Sequence, residues 1–98
     1  MARYRLTSQA ITDVDEIWLY IARDNLTAAD RLIDRFTEVY EHLSAHPGMG
    51  QAQDKYREGL RSFSVGNYLI FYRSIADGIE VYRMLHGSRN LEDLLSRD

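Results

Sequence analysis

Residues 60–90 read LRSFSVGNYLIFYRSIADGIEVYRMLHGSRN, and this stretch decides the fold of the chain. Gly66-Asn67 separates Val65 from Tyr68, which is the spacing of a two-residue hairpin turn. Ala76-Asp77-Gly78 provides a second reversal, as a three-residue loop with glycine in the left-handed position. The stretch therefore predicts three antiparallel strands, at about Leu60–Val65, Tyr68–Ile75 and Ile79–His86.

The two turns also predict which side chains share a face of the sheet. If Val65 lies opposite Tyr68 and Ile75 lies opposite Ile79, alternation divides the strands into two faces. The face predicted to form the core carries Phe63, Val65, Tyr68, Ile70, Tyr72, Tyr82 and Met84. The other face carries Ser62, Ser64, Leu69, Phe71, Arg73, Ile75, Ile79, Val81, Arg83 and Leu85. A sheet with helices on one side leaves its other side in water, so this apolar and arginine-bearing face is predicted to bind a partner.

The residues before the hairpins predict a strand and two helices. Arg3–Leu6 alternates charged and apolar residues, as an edge strand does, and Thr7 or Ser8 is a suitable N-cap for the helix that follows. That helix is expected to end near Arg23. A second amphipathic helix is expected from Ala28, capped by Thr27, to about Ser44. Joined by a short turn, the two helices form an antiparallel hairpin that covers the aromatic face.

The remaining segments complete an α+β fold. His46-Pro47-Gly48-Met49-Gly50 ends the second helix, and residues 51–59 are polar enough to predict a loop. Residues 91–98 are expected to form one or two helical turns. The predicted order is β-α-α-β-β-β with a short C-terminal helix, in which an N-terminal helical hairpin packs on one face of a small antiparallel sheet.

Composition and length restrict the class of protein. The chain has 98 residues, 45% of them hydrophobic and 28% charged, which predicts one globular domain spanning residues 1–98. It has neither an apolar run long enough to span a bilayer nor a signal-peptide core, and it contains no cysteine, so we expect a cytoplasmic protein without disulfides. A net charge of −3 argues against a general nucleic-acid binder.

The sequence offers few candidates for a metal site or for acid–base catalysis. His42 and His46 are four residues apart, but Pro47 disfavours helical geometry at His46, so we predict no metal site. The carboxylate pair Asp13 and Glu16 is interpreted as solvated charge on a helix. No phosphate-binding glycine loop and no nucleophile motif is present, and no cofactor is expected.

Arg61, Arg83 and His86 remain as candidates for catalysis. Cleavage of RNA without a metal needs a base, an acid and cations near one phosphate, and histidine and arginine supply those groups. On the predicted register Arg83 and Arg73 share the open face, whereas Arg61 and His86 fall on the opposite one. The alternative is that the arginines bind an acidic partner and the histidine forms a hydrogen bond at a strand end.

Several motifs in the right order resemble the ParE branch of the RelE/ParE toxin superfamily. The resemblance covers nearly the whole chain. It rests on His46-Pro47 with Gly50, Arg61-Ser62-Phe63, Val65 with Tyr68, Ile70-Phe71-Tyr72-Arg73, and Arg83 through Gly87 with Arg89.

The resemblance implies the toxin of a type II toxin–antitoxin pair, often a plasmid-stabilisation protein, neutralised by a cognate ParD-like antitoxin that wraps around it. It implies DNA gyrase as the target, and inhibition by binding rather than catalysis. The residues expected to contact the antitoxin or the target are Leu69, Phe71, Arg73, Val81, Arg83, Leu85 and Arg89.

Two alternatives stay open at this point. RelE-type relatives cut mRNA on the ribosome, for which Arg61, Arg83 and His86 are the candidate groups here. The chain has a single lysine, Lys55, and no tyrosine after Tyr82, which departs from the residue sets of that branch. The other alternative is a decayed toxin that acts only as a binding module.

Overall fold

The fold is α+β, as predicted. The computed structural model describes residues 3–95. Their elements, in order, are β1 (Arg3–Leu6), α1 (Ser8–Ala22), α2 (Leu26–Ala45), a 3-10 helix (Pro47–Met49), β2 (Gln51–Ala52), β3 (Arg61–Val65), β4 (Tyr68–Ile75), β5 (Gly78–His86) and α3 (Leu91–Leu95). The sheet has the strand order β1-β5-β4-β3-β2. β1 runs parallel to β5 and the other pairs are antiparallel, so the sheet is mixed. The segment predicted as a loop over residues 51–59 contains the short strand β2.

Side-chain caps define the starts of both long helices. The Thr7 hydroxyl accepts a hydrogen bond from the Ala10 amide at 3.1 Å, which confirms the predicted cap of α1. The predicted cap of α2 is wrong, because Asn25 rather than Thr27 accepts from the Ala28 amide at 2.9 Å. Asparagine in an extended conformation is among the strongest N-caps, so α2 begins earlier than the apolar pattern indicated.

The helical hairpin covers one face of the sheet. Phe36 of α2 meets Tyr68 of β4 edge to face, with ring centroids 6.0 Å apart. The buried members of this main core are Ala10, Phe36, Val39, Tyr40, Leu43, Val65, Ile70, Tyr72, Ile79, Val81 and Met84. Each large apolar side chain buried there stabilises the fold by about 1.5–3 kcal/mol, so the helix–sheet contact is the principal source of stability.

A β-bulge in β5 changes which residues face the helices. The predicted register holds from Tyr68 to Phe71, where Phe71 lies opposite Arg83. Beyond that point it shifts by one residue, because Tyr72 lies opposite Val81 and leaves Tyr82 without a partner. A one-residue slip moves each side chain to the other face. Val81 is therefore in the main core rather than on the open face, and Tyr82 lies on the reverse face.

The reverse face of the sheet is covered at its centre, contrary to the prediction of an open face. Phe71 and Leu85 are 0% and 2% exposed. They form a second core with Leu60 and Leu95, bordered by Tyr56, Leu69, Tyr82, Leu91 and Leu94. The leucines of α3 and the segment before β3 supply this cover. The sequence indicated a C-terminal helix but did not show which face it would bury.

No helix of residues 3–95 has the length and apolarity needed to cross a membrane.

Candidate functional site

Arg61 stabilises the turn that ends α2. Its Nη1 donates to the Gly50 carbonyl at 2.7 Å. In the same turn the Tyr72 hydroxyl donates to the Pro47 carbonyl at 2.7 Å and accepts from the Gly50 amide at 2.8 Å. Burial raises the pKa of Tyr72 despite the opposing effects of the Gly50 amide and the Arg61 charge. These contacts join the His-Pro-x-x-Gly turn to β3 and β4, which accounts for Arg61 structurally.

Arg83 forms a bidentate ion pair with α1. Its Nε and Nη2 lie 2.8 Å and 3.0 Å from the two oxygens of Asp13, and the Met84 amide donates to the same carboxylate at 3.0 Å. The hydrogen bond to Asp13 raises the pKa of Arg83, in spite of the opposing effect of burial. The prediction that Arg83 lies on an open face is wrong, because the carboxylate of α1 draws the guanidinium to the helix side. The interpretation of Asp13 as solvated charge is also wrong, since its side chain is buried.

His86 ends β5 and lies against Tyr68. Their rings meet edge to face with centroids 5.3 Å apart. The His86 Nδ1 accepts from the Ser88 amide at 3.1 Å. A backbone amide only donates, so a neutral His86 carries its proton on Nε2.

The structure does not bring Arg61, Arg83 and His86 to one place. Arg61 lies opposite Tyr72 and His86 lies opposite Tyr68, on the two strands that flank β4. Four residues of β4 separate those positions, which is roughly 13 Å along the strand. Arg61 and Arg83 are each held by partners of their own.

A groove lies between α1 and the ends of the central strands, and we call it the α1 groove. It is a cavity of about 670 Å³. One wall consists of Asp13, Glu16, Ile17 and Tyr20 of α1, and the other of Asn67, Tyr68, Met84, Leu85, His86, Ser88 and Arg89. Glu16 and Arg89 place opposite charges on the two walls, and Ile17 and Met84 supply apolar surface between the polar lining residues. A groove of this kind suits an amphipathic segment of another protein.

The apolar surface continues outside the groove along α1 to the first residue of α2. Tyr20 is 70% exposed, and Ile11, Leu19 and Leu26 are also exposed. Burial raises the pKa of Tyr68, with a further contribution from Tyr20, so the Tyr68 hydroxyl is neutral at pH 7. The sequence did not predict this surface, because only one apolar face, directed at the core, was expected for α1. The signal was present, since apolar residues occur nearly all round the helix.

The residues predicted to contact a partner lie in different environments. Arg73 and Arg89 are exposed and Leu69 is half-buried. Phe71 and Leu85 belong to the second core and Val81 to the main core, so they lie beneath the chain itself. The bulge and the cover of α3 are the physical reasons, and the seven residues do not share one open face.

A row of three charges crosses the reverse face near β1. Glu80 of β5 accepts from Arg5 Nε at 3.0 Å and from Arg73 Nε at 2.9 Å. Burial alone would raise the pKa of Glu80, but the hydrogen bonds and charges of Arg73 and Arg5 lower it below its ordinary value. The carboxylate is therefore ionised at neutral pH and holds both arginines in place.

Replacing Glu80 with glutamine is expected to lower the free energy of unfolding by about 1 kcal/mol at pH 7. A depressed pKa adds stability above the unfolded value of about 4.3, and that contribution is lost as the pH falls through the lower folded value. The difference between wild type and Glu80→Gln should therefore disappear in acid. Urea unfolding between pH 3 and pH 7 measures it. Glu38→Gln, in the exposed pair with Arg35, is the control and should change little at any pH.

Comparison with known proteins places the chain in a described family. The family model for the ParE toxin of type II toxin–antitoxin systems, parDE, matches residues 4–91. The chain is 35% identical over 91 residues to Toxin ParE1 of Caulobacter vibrioides, covering 92% of this chain and 94% of that protein. It is 32% identical over 87 residues to Toxin ParE1 of Mycobacterium tuberculosis, covering 87% of this chain and 89% of that protein. A solved chain described as "Chromosomal ParDE TA system from P. aeruginosa" has the same fold, with a TM-score of 0.73 at 17% identity over 88% of this chain and 96% of that one.

Proposed function

The chain belongs to the ParE family of toxins from type II toxin–antitoxin systems, and from that membership we propose that a ParD-like antitoxin neutralises it and that the free toxin inhibits DNA gyrase. The solved relative comes from a ParDE system, which supports a partner of the ParD kind. The free toxin would act in the cytoplasm as an inhibitor that binds its target, without a cofactor.

The α1 groove is the observation that carries the antitoxin proposal. Its mixed lining includes the apolar residues Ile17 and Met84, and the side chains of Leu19 and Tyr20 on the same helix are exposed. Solvent-exposed apolar surface of this kind is typical of protein interfaces. An antitoxin segment with an apolar stripe would contact these apolar side chains, and charged residues beside the stripe would meet Glu16 and Arg89. Arg73 and Leu69, on the reverse face, are proposed as further contacts of a segment that wraps around the toxin.

The positions of the three candidate catalytic residues favour gyrase inhibition over RNA cleavage. A metal-free ribonuclease needs its base, acid and cations at one phosphate. Arg61 instead binds the carbonyls of the turn after α2, and Arg83 is paired with Asp13. Both arginines have structural roles that a non-catalytic toxin also requires. Phe71, Val81 and Leu85 are core residues and would contribute indirectly, by supporting the surfaces that a partner contacts.

Assays on the free toxin separate the three possible activities. We expect inhibition of gyrase supercoiling, or trapped gyrase cleavage complexes, and no cuts when translated message is analysed by primer extension. Cuts in the ribosomal A site would replace the proposal with an endonuclease. Normal growth of a sensitive host that expresses the toxin alone would identify a binding module.

A variant in the α1 groove tests the antitoxin site directly. Tyr20→Glu should weaken binding of the antitoxin encoded beside this gene by about 30-fold, because buried tyrosines often dominate interface energy. Leu26→Glu changes an apolar side chain that is also exposed but does not line the groove. The affinity of this variant for the antitoxin should therefore stay within twofold of the wild-type value. Isothermal titration calorimetry measures both. Equal losses of antitoxin affinity in the two variants, or no loss in either, would show that the antitoxin binds elsewhere.

A further inference from the structure

We propose that the outer edge of β1 binds an extended acidic segment of the antitoxin, which adds to the sheet as a further strand beside Arg5. The inference rests on the proposed antitoxin but concerns a different surface from the α1 groove. It assigns a backbone edge and a row of charges to one occupant.

The backbone of β1 has one paired edge and one open edge. β1 stands at the end of the strand order, so within residues 3–95 no strand lies beyond it. The Arg3 amide donates to the Asp77 carbonyl at 2.8 Å and the Thr7 amide donates to the Val81 carbonyl at 3.0 Å. Since successive residues of a strand direct their backbone groups to opposite sides, Tyr4 and Leu6 direct theirs outward. An extended peptide would find a row of donors and acceptors there.

Beside this edge, positive and negative side chains alternate from strand to strand, and the outermost of them, on β1, is an arginine. Arg5, Glu80 and Arg73 lie opposite one another on β1, β5 and β4. Glu80 meets each arginine through Nε, and the Arg5 and Arg73 side chains are 62% and 57% exposed. Within the described residues, the terminal nitrogens of Arg5 have no carboxylate partner. The row therefore carries a net positive charge at its open end.

An added strand would place one side chain directly beside Arg5. Cross-strand neighbours have Cβ atoms about 4.5–5.5 Å apart, close enough for a carboxylate to reach the free guanidinium nitrogens. An acid at that position continues the alternation of charge, and the next residue on the same face meets Arg3, whose Nε lies 3.8 Å from Asp77. Residues on the other face would lie near Tyr4, whose ring packs against Tyr40 with centroids 5.2 Å apart. The segment should thus alternate acidic and apolar residues.

Other occupants fit this edge less well. A second copy of the chain, paired through its own β1 in the antiparallel sense, would bring arginine against arginine, and like charges in that position are destabilising. A nucleic acid would match the positive charge but has no peptide groups to pair with those of Tyr4 and Leu6. The short, charged strand also resists unspecific pairing, which favours one acidic partner over many.

A defined peptide tests the inference without the natural partner. The probe is a terminally blocked decapeptide of alternating glutamate and valine, compared with the same peptide carrying glutamine in place of glutamate. We expect the glutamate peptide to bind about tenfold more tightly, because it alone supplies the carboxylates. Methylating the peptide nitrogens along one edge should abolish binding, since strand addition needs those donors. Amide shifts in nuclear magnetic resonance spectra should centre on Tyr4 and Leu6.

Variants of the full-length toxin test the same edge against the natural antitoxin. Arg5→Glu should weaken the binding of both the glutamate peptide and the antitoxin about tenfold. Arg35→Glu, which reverses an exposed charge on α2, should change both affinities by less than twofold. Because glutamate at position 5 would also face Glu80, Arg5→Gln serves as a second variant, and thermal unfolding verifies that both are folded.

The outcomes separate this inference from the proposed function. Equal binding of the two peptides, tolerance of the N-methyl groups, or unchanged antitoxin affinity in both Arg5 variants would overturn the β1 edge as the site while leaving the antitoxin proposal intact. Binding of a single-stranded oligonucleotide in preference to the glutamate peptide would overturn it as well. A wild-type toxin that does not bind the antitoxin would instead refute the proposed function.

Discussion

Replacing Asp13 with alanine is expected to lower the free energy of unfolding by about 3–5 kcal/mol. The Asp13 side chain is 7% exposed and the Arg83 side chain 15% exposed, so the pair is largely removed from water. Without the carboxylate, the guanidinium of Arg83 and the Met84 amide would both lose their partners inside the protein. Urea denaturation at pH 7 measures the loss, and the dependence of the unfolding free energy on urea concentration is compared between variants.

Two further variants show whether the ion pair causes this loss. Asp15→Ala removes an exposed carboxylate from the same helix and should change the stability by no more than about 0.5 kcal/mol. The double variant Asp13→Leu/Arg83→Met should recover part of the lost stability, because an apolar pair of similar volume avoids the cost of a buried unpaired charge. A loss below about 1 kcal/mol in Asp13→Ala would mean that water solvates this pair.

The Asp13–Arg83 pair also links the fold to the proposed function. Asp13 lines the α1 groove, and its carboxylate holds α1 against β5, the strand that forms much of the opposite wall. The width of the groove therefore depends on this contact. A variant at Asp13 is expected to impair antitoxin binding as well as stability, whereas Tyr20→Glu should affect binding with little change in stability.

The sequence predicted those parts of the fold that depend on local signals. Gly66-Asn67 places a turn, Thr7 caps a helix, and alternation defines β4, and all three are confirmed. These features depend on a few neighbouring residues. The helical hairpin followed from two amphipathic patterns joined by a short connection.

The bulge in β5 was not predictable in the same way. Ile79 and Val81 alternate with Glu80, but Met84 breaks that alternation, and the irregularity alone does not show that Tyr82 is the residue that loses its partner. Its position is set by tertiary contacts, in which Val81 enters the main core while Tyr82 packs under the guanidinium of Arg57, 4.8 Å from the ring centroid. That single shift is the reason that the predicted binding face was divided between two cores.

The candidate site depends on long-range pairs that one sequence does not reveal. Asp13 and Arg83 are 70 positions apart in the sequence, and nothing beside either residue distinguishes it from an ordinary surface charge. The same is true of Arg5 and Glu80, 75 positions apart. Only the parallel pairing of β1 with β5 brings Arg5 beside Glu80, and the hairpins alone gave no indication of it.

Replacing Gly78 with alanine is expected to destabilise the protein by about 3 kcal/mol and to release β1 from the sheet. The prediction from sequence gave Gly78 a left-handed role, but the positive φ angles of the described glycines are at Gly59 and Gly66. Gly78 begins β5 directly opposite Arg3, where a Cβ would overlap the Arg3 carbonyl oxygen and lie 2.7 Å from its carbon. These are backbone atoms, so the clash is relieved only by moving the strand. Glycine is required here by the close approach of β1.

Hydrogen exchange and a glycine control test this explanation. In Gly78→Ala the Thr7 amide, which donates to Val81, should exchange much faster than in the wild type. Gly48→Ala is the matched control, because a Cβ at that position meets no atom within 4 Å, and it should leave exchange and stability unchanged. If Gly78→Ala kept the Thr7 amide protected, β1 would have moved together with β5, and the edge beside Arg5 would persist. Release of β1, in contrast, should abolish binding of the acidic peptide while leaving the α1 groove able to bind the antitoxin.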